Sequence, residues 1–487
     1  MNKLISRNLN KLYYFLFFIT VLITQFSSID KEVIDWDEST FFIISKFLAN
    51  GSLLYADFWD AKPPLIFMYL AMAFKMFGSS LLVGRLAGDL LIFITVLFTF
   101  KILDIYFSKK ISIISTFFLI YLFSYDASQP TMTEHLGIVF IIWSLYLLLI
   151  KGDSINFVAL GVLFSLAFNT RNNLAFVAAG VVLFLLSQEK LKLYQFYKLI
   201  VGFALPIASL FIYFLTKNTV DLYSYMLIKF PIEVSKYRIT NSEIKTEIYN
   251  KLNLDQIISF EILVLSSLAI TVFYFFKNKN RIQTNQVFSL NLVILISIIF
   301  SIIAGGRLFN HYFIQTYPFI AILFASTLNL LFKKKYLLNI FLIYFLALNI
   351  GIGIKGVDNI VNYENIYSNY PIKNISEYVK KLNITNNSFL VLENHILYFY
   401  IDDIRPFKVV HPSNLPNTER YSESLNSLKK FDLTIDNEFY LFVEKKPDYI
   451  FCEIDCYLYI EPSFYTNNYN VLLRLNNLQL YQKISND

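Results

Sequence analysis

The segment 34-IDWDESTFFIISKFLANGSLLYADFWDAKPPL-65 carries seven charged residues in a chain that is otherwise strongly apolar. Of the 487 residues, 56% are hydrophobic and 16% are charged, whereas soluble domains contain about 25% charged residues. Apolar segments recur at roughly the 20-residue length that crosses a bilayer core. The composition therefore predicts a polytopic α-helical membrane protein, and the charged segment needs an explanation in that setting.

Eleven apolar segments are predicted to be transmembrane helices. They are Leu12–Ser28, Ser80–Phe107, Ile111–Tyr125, Glu134–Ile150, Ile155–Phe168, Leu174–Leu186, Leu199–Leu215, Ile257–Phe276, Val287–Ala304, Ile314–Phe332 and Tyr336–Ile354. Basic clusters, such as the Lys109/Lys110 pair, follow the even-numbered segments. Because positively charged loops stay in the cytoplasm, we expect a cytoplasmic N-terminus in the cell inner (plasma) membrane. The charged segment and the C-terminal region should then lie on the extracytoplasmic side.

From about Gly356 the chain becomes polar, and no further apolar segment is long enough to span a membrane. The short runs SFLVLE, FYLFVE and DYIFCEI are rich in aromatic and β-branched residues and predict strands. NISEYVKKL predicts a helix. We therefore expect a transmembrane domain over residues 1–355, with a first external loop at 29–79. A soluble extracytoplasmic α/β domain should follow at 356–487.

The charged loop is predicted to fold into two amphipathic helices. STFFIISKFLANG has the pattern of a helix that lies along the membrane interface. A second helix should begin at the Pro-Pro pair of WDAKPPLIFMYLAMAFKMFG. Asp35, Asp37 and Glu38 precede the first of them, and ionisable residues at a membrane are candidates for function because their burial is costly. The alternative is an ordinary solvated loop in which Asp37 caps the helix.

Two blocks resemble one enzyme family. The stretch from Asp35 to Gly88 contains an acidic pair, W-D-A-K-P-P-L, F-G-S-S and an arginine, in that order. It is similar to the first external loop of GT-C glycosyltransferases, more narrowly the bacterial relatives of dolichyl-phosphate-mannose protein mannosyltransferases and aminoarabinose transferases. The block GGRLFNHYFIQTYPFIAIL resembles a later segment of the same family. The resemblance extends over residues 1–350 in architecture and is specific in these two blocks.

The resemblance implies a glycosyltransferase that moves a hexose or pentose from a polyprenyl-phosphate carrier to an acceptor hydroxyl. It assigns Asp37 as the base or acceptor-binding carboxylate and Glu38 as the second member of the acidic pair. The leaving group is an anionic phosphate, so the reaction needs one carboxylate to take the acceptor's proton and cations to hold the phosphate. A single base predicts direct displacement with inversion.

Four residues are candidates for contact with the donor phosphate, and each has a structural alternative. Lys62 matches the lysine of the K-P-P motif, but it could instead be an interfacial lysine that extends to the headgroups. Arg307 suits bidentate phosphate contact, or it anchors a helix end. His311 matches the second block, or it packs among aromatic residues. Arg85 faces the site, or it pairs with Asp89 one turn further along the helix.

Glu134 is a candidate for orienting the acceptor or a metal, although the positive end of its helix would also explain it. Tyr312 and Arg171 are further candidates. His135 follows Glu134, but one Glu-His pair is a weak metal signature. No cofactor is certain from the sequence, and a divalent metal is left open.

Cys452 and Cys456 predict a small disulfide in an oxidising compartment, provided that the backbone turns between them. The expected partners are the lipid-linked sugar donor, a glycan, lipid or protein acceptor, and the bilayer. No basic stripe indicates a nucleic-acid ligand. Two alternative functions are a transporter or flippase of lipid-linked sugars and a non-catalytic membrane anchor for a C-terminal binding domain.

Overall fold

The computed structural model describes residues 2–151, 155–240, 282–306, 309–331, 335–382, 389–401, 407–415, 436–453, 460 and 462–484. The chain divides into two compact units. The helical unit comprises Met1–Ser28, Arg85–Tyr213 and Pro231–Ile360. The mixed unit comprises Ile29–Gly84, Phe214–Phe230 and Val361–Asp487.

Long apolar helices make up the helical unit. Those that lie in it wholly or in large part are Asn2–Gln25, Leu81–Tyr106, Lys109–Phe123, Thr133–Lys151, Phe157–Thr170, Ala175–Ser187, Leu193–Thr216, Phe230–Thr240, Ile282–Ala304, Tyr317–Leu331 and Lys335–Val361. Within the described residues, seven helices are long and apolar enough to cross a membrane. The prediction of a polytopic helical protein is therefore confirmed, while the predicted span Ile257–Phe276 lies outside the described residues.

Interlocking aromatic rings fill the core of the helical unit. The ring of Phe17 packs edge-to-face against Phe100 and Phe117, at centroid distances of 5.0 and 5.5 Å. Phe118 contacts Phe324 at 4.5 Å and Phe345 at 5.1 Å. Ring pairs of this geometry add about 0.5–1.5 kcal/mol each beyond the burial of their apolar area. Five separate helices are joined by these two clusters.

Two glycines allow a close crossing of helices. A Cβ atom on Gly161 would lie 2.1 Å from the backbone oxygen of Leu199, and a Cβ on Gly202 would lie 2.1 Å from that of Val158. Only glycine lets the two backbones approach this closely, as is common where helices pack within membranes. The crossing fixes the helix Phe157–Thr170, whose last turn leads into Arg171.

The mixed unit combines short helices with a small sheet. Its helices are Trp36–Ala49, Leu65–Phe77, Val220–Ser224, Tyr363–Ser368, Pro371–Lys380, Leu397–Tyr400, Asp436–Glu444 and Pro462–Asn468. Its strands are β1 (Phe389–Val391), β2 (Tyr449–Glu453), β3 (Tyr469–Leu475) and β4 (Leu478–Lys483). The sheet order is β1-β2-β4-β3, with β1 and β2 parallel and the other two pairings antiparallel.

The predicted strands SFLVLE and DYIFCEI are confirmed as β1 and β2, and NISEYVKKL lies in a helix as predicted. The run FYLFVE is part of the helix Asp436–Glu444, so its prediction as a strand is wrong. A short apolar run has no period that separates a strand from a buried helix. The β3–β4 hairpin was not predicted; its turn places Asn476 at a φ of 53°, a conformation that asparagine tolerates well.

Both predicted loop helices are present. We call Trp36–Ala49 the first loop helix and Leu65–Phe77 the second; the second begins directly after Pro64. They pack through edge-to-face ring contacts between Phe41 and Phe67 at 5.6 Å and between Phe42 and Phe74 at 5.9 Å. The charged loop is therefore a folded element with its own aromatic core.

The charged loop also belongs to the same compact unit as the C-terminal region. The Trp59 N–H donates to the Lys408 carbonyl at 2.7 Å. The Lys46 ammonium donates to the Phe399 carbonyl at 2.7 Å. Glu32, which is buried, accepts from the backbone N–H groups that begin the helix Pro371–Lys380. These contacts join segments about 340 to 350 residues apart in sequence.

Replacing Glu32 should loosen this connection. The Glu32 carboxylate accepts from the Ile372 N–H at 2.7 Å and from the Lys373 N–H at 2.8 Å. Glu32→Ala leaves both donors without this acceptor, so we expect a loss of about 2–3 kcal/mol and a lower melting temperature of the purified protein. Glu377→Ala, on the exposed face of the same helix, should change it little. Equal melting temperatures for the two variants would contradict this role of Glu32.

Candidate functional site

A buried ion pair occupies the start of the first loop helix. Asp37 lies in the first turn and is 6% exposed. Its Oδ2 accepts from the Lys62 ammonium at 2.8 Å, and its Oδ1 lies 3.0 Å from the His411 Nε2. A buried carboxylate is costly unless it is paired and hydrogen-bonded. Both oxygens of Asp37 meet that condition; Lys62 comes from the same loop, 25 positions away, and His411 is 374 positions away.

The cap of the first loop helix is Asp35. Its Oδ1 accepts from the Asp37 N–H at 2.7 Å, and its backbone is extended, as the capping position requires. The alternative in which Asp37 caps the helix is therefore wrong. The side chain of Asp37 instead faces the lysine and the histidine, because Asp35 already satisfies the backbone at the helix start.

The acidic pair places several carboxylates close together. Burial, the charge of Asp37 and the charge of Glu38 raise the pKa of Asp35 to about 7, although the Asp37 N–H and Lys62 act in the opposite direction. Glu38 is buried as well. The role of Glu38 in the reaction stays a prediction from the family resemblance.

Backbone hydrogen bonds hold Lys62 in place. Its N–H donates to the Asp60 Oδ1 at 2.9 Å, and its carbonyl accepts from the Tyr55 hydroxyl at 3.2 Å. The side chain is 13% exposed. Proline at the next two positions restricts the backbone further. The Lys62 side chain thus points at Asp37. A lysine that served as an interfacial anchor would instead point toward the lipid headgroups.

A second histidine supports the first loop helix. The His395 Nδ1 lies 3.0 Å from the Glu393 carbonyl, which can only accept, so the proton of the neutral ring is on Nδ1. The Nε2 lies 2.8 Å from the Thr40 hydroxyl oxygen, which also lies 2.9 Å from the Trp36 carbonyl oxygen. Burial and the neighbouring His411 lower the pKa of His395 to about 3, so the ring is neutral at physiological pH.

His411 and His395 were missed by the sequence reasoning. Both are more than 350 residues from the helix that they contact, and neither lies in a block that resembles the family. The rarity of histidine was the signal available, because the chain contains only four.

A second polar cluster lies in the helical unit and contains four predicted residues. Arg171 forms an ion pair with Glu134, whose other oxygen accepts from the Thr133 hydroxyl at 2.8 Å. The Arg171 Nε donates to the Asn173 Oδ1 at 3.1 Å. The guanidinium lies 4.2 Å from the centre of the Tyr312 ring, an arrangement that favours a cation.

His311 completes this cluster. Its Nε2 lies 3.9 Å from the Glu134 Oε1, and its ring stacks on Phe309 at 5.6 Å. Glu134, Arg171, His311 and Tyr312 therefore meet, although they come from three segments of the sequence. The functions predicted for them are not decided by this contact, because a buried ion pair can also be purely structural.

The remaining predicted residues have separate positions. Arg85 and Asp89 are both buried, one turn apart on the helix Leu81–Tyr106, which is consistent with either prediction for Arg85. Arg307 lies outside the described residues. Cys452 is disulfide-bonded, and Cys456, the other cysteine of the sequence, lies outside the described residues.

No group of three or more His, Cys, Asp or Glu side chains that could hold a metal occurs in the described part of the chain. His135 is buried beside Glu134, and its Nδ1 accepts from the Met132 N–H at 3.2 Å. Metal dependence therefore has no candidate ligand set among these residues.

Residues 61–214 match the family described as dolichyl-phosphate-mannose-protein mannosyltransferase. No curated protein matches the chain. The structure of ArnT from Cupriavidus metallidurans bound to undecaprenyl phosphate has a TM-score of 0.63 at 13% identity, with 97% of this chain and 98% of that chain covered. The structure of the same protein in the apo state has a TM-score of 0.61 at 12% identity, with 98% of both chains covered. The Archaeoglobus fulgidus oligosaccharyltransferase in complex with Zn and sulfate is less similar, with a TM-score of 0.43 at 12% identity, covering 90% of this chain and 68% of that chain.

The chain thus has an ArnT-like fold over nearly its full length. The family match covers residues 61–214, about a third of the chain. The resemblance predicted from the first sequence block is supported by the family match over residues 61–214, and the predicted polytopic helical fold is confirmed.

Replacing Asp35 should alter the pH dependence of stability. Because the folded-state pKa of about 7 lies above the unfolded value of about 3.9, the folded state binds more protons between these values. This residue therefore lowers stability as pH rises from about 4 to 7. Asp35→Asn keeps the cap and removes the titration, so its melting temperature should exceed that of the wild type increasingly up to about pH 7.

Asp35→Ala is the matched control, because it removes the same titration and also the cap. It should be less stable than Asp35→Asn by about 1 kcal/mol at every pH. A difference between the wild type and Asp35→Asn that does not change with pH would contradict the raised pKa.

Breaking the ion pair of the helical unit should be costly. Glu134→Gln leaves the Arg171 charge without its carboxylate partner, and we expect a loss of about 3–5 kcal/mol. The double variant Glu134→Gln/Arg171→Gln should recover part of this loss in a thermal melt. Asp104→Asn, which breaks the partly exposed pair of Asp104 with Lys109, should cost at most about 1 kcal/mol.

Proposed function

We propose that the chain is an integral-membrane glycosyltransferase that moves a sugar from a polyprenyl-phosphate carrier to an acceptor hydroxyl. The observation that carries the proposal is the buried pair of Asp37 and Lys62, which sets a carboxylate and a cation side by side in the family's first external loop. The ArnT-like fold supports the choice of donor, since that relative was determined with undecaprenyl phosphate bound.

Asp37 is proposed as the base that takes the proton of the acceptor hydroxyl. An ammonium 2.8 Å away stabilises a carboxylate in its ionised, proton-accepting form. Each carboxylate oxygen offers more than one acceptor position, so the bonds to Lys62 and His411 leave room for the acceptor hydroxyl. Glu38 is proposed as the neighbouring carboxylate that keeps the acceptor in place.

Lys62 is proposed to hold the departing phosphate. An ammonium has three N–H donors, so its bond to Asp37 is compatible with contact to phosphate oxygens. During transfer, the bond between the anomeric carbon and the carrier's phosphate oxygen breaks, and the acceptor oxygen bonds to that carbon. The acceptor's proton passes to Asp37, the bonding electrons leave with the polyprenyl phosphate, and the configuration inverts. The growing negative charge on the phosphate favours a nearby cation.

The other predicted residues complete the proposal. Arg307, His311 and Arg85 stay candidates for contact with the donor phosphate, and Glu134 stays a candidate for orienting the acceptor. Arg171 would hold the Glu134 carboxylate through its ion pair, and the Tyr312 ring would hold the Arg171 guanidinium. A divalent metal is not required in this scheme.

We further propose that the chain lies in the inner membrane with a cytoplasmic N-terminus. The first external loop and residues 356–487 would then be extracytoplasmic, where they would receive a lipid-linked donor and an acceptor such as a glycan, a lipid or a protein. The distribution of basic residues between the predicted spans supports this orientation.

Asp37→Asn tests the proposal. We expect transfer from radiolabelled undecaprenyl-phosphate sugars, supplied as a panel of hexoses and pentoses to membranes containing the protein, to fall by about 10²–10⁴-fold. Lys62→Gln should weaken transfer and raise the KM for the donor. Asp57→Asn is the control, because Asp57 lies in the same loop and its Oδ2 accepts locally from the Leu53 N–H at 2.7 Å.

The outcomes separate the competing functions. Transfer at the wild-type rate by Asp37→Asn would refute the assignment of the base. Movement of the labelled lipid between leaflets without transfer of sugar would indicate a transporter or flippase. If no sugar of the panel is transferred and no labelled lipid moves between leaflets, the result would favour a non-catalytic anchor.

A further inference from the structure

We propose that His411 is a positioning residue for the reaction, which holds the Asp37 carboxylate in the orientation needed to accept a proton. This inference rests on the proposed function of Asp37. It places the support of the Asp37 carboxylate in the C-terminal region, which no sequence motif had connected with the chemistry.

The hydrogen bonds of His411 determine which nitrogen carries the proton. Its Nδ1 lies 3.2 Å from the backbone N of Ser413 and 2.7 Å from the Ser413 hydroxyl oxygen. A backbone N–H can only donate, so Nδ1 must accept and carries no proton. The proton of the neutral ring is therefore on Nε2, which donates it to the Asp37 Oδ1 at 3.0 Å.

Two donors fix the carboxylate from both sides. The terminal torsion of an aspartate is soft, so one partner alone leaves the carboxylate free to rotate. Lys62 holds Oδ2 and His411 holds Oδ1, and together they define its plane. Lys62 is itself proposed to engage the phosphate, which leaves His411 as the donor whose bond need not change during the reaction.

The position of His411 is itself determined by contacts with the charged loop. Its ring packs edge-on against Trp36 at 6.4 Å and lies 6.1 Å from the His395 ring. Two residues earlier, Val409 forms a β-bridge with Trp59, whose N–H donates to the Lys408 carbonyl. The segment before His411 is therefore attached to the loop that carries Lys62.

The groups around His411 indicate how pH should act. Within the described residues, the charged or titratable side chains near the Asp37–His411 pair include Lys62, Asp35, Glu38 and His395. A carboxylate that loses a hydrogen-bond donor holds its proton more tightly. Removing the His411 donor should therefore shift the acidic limb of the pH profile of kcat/KM toward higher pH.

Three variants of His411 separate positioning from folding. The amide nitrogen of glutamine comes near the position of Nε2, whereas that of asparagine comes near Nδ1 and falls short of Asp37. We expect His411→Asn and His411→Phe to lower kcat by about 100-fold with little change in the KM for the donor. His411→Gln should restore most of kcat and the wild-type acidic limb. Melting temperatures measured in parallel separate these effects from loss of fold.

Transfer from the panel of undecaprenyl-phosphate sugars provides the kinetic readout. If His411→Asn and His411→Gln lose the same activity, or if no variant shifts the acidic limb, the positioning role is overturned. A wild type that transfers no sugar at all would overturn the proposed function instead, and the next measurement does not depend on transfer.

Magnetic resonance of the histidine nitrogens tests the hydrogen bond directly. In the full chain labelled with ¹⁵N-histidine, the signal lost in His411→Gln identifies this residue among the four. We expect the neutral form protonated on Nε2, with a proton signal that shifts in Asp37→Asn. Protonation on Nδ1, or a signal that Asp37→Asn leaves unchanged, would overturn the inference whatever the enzyme's activity.

Discussion

The buried carboxylate of Asp37 is the constraint on which the arrangement of the mixed unit depends. A carboxylate removed from water requires partners, because the desolvation penalty of an unpaired ion amounts to several kcal/mol. One partner, Lys62, comes from the same loop, and the other, His411, comes from the C-terminal region. Meeting that requirement joins the loop and the C-terminal region around a single side chain.

The same requirement connects stability with chemistry. The contacts that make the charged loop a folded element also place a carboxylate beside a cation, which is the combination that transfer to a hydroxyl from a phosphate carrier would use. The cost remains visible at Asp35, whose pKa of about 7 reflects burial beside two further carboxylates. Natural proteins retain such unfavourable charge arrangements most often at functional sites.

The sequence predicted much of this molecule where a local pattern carried the information. Hydropathy indicated the helical architecture, and two blocks indicated the family. The prediction failed where local pattern is ambiguous, as in FYLFVE, which is a helix. The compact units place residues 29–84 with residues 361–487, a grouping that hydropathy does not predict. Hydropathy describes segments and contains no information on which segments pack together.

By itself, the sequence determined the class of protein, the two loop helices and the chemical identity of the candidate residues, because apolar period, helix-starting residues and motif spacing are all local properties. Tertiary structure alone decided the partners. In the folded chain Asp35, and not Asp37, caps the first loop helix, and Glu134 forms an ion pair with Arg171. His411 contacts Asp37 although the two are 374 positions apart in sequence. The physical reason is that a buried charge pairs with the hydrogen-bond donors or opposite charges that tertiary packing places beside it. That packing depends on the whole chain.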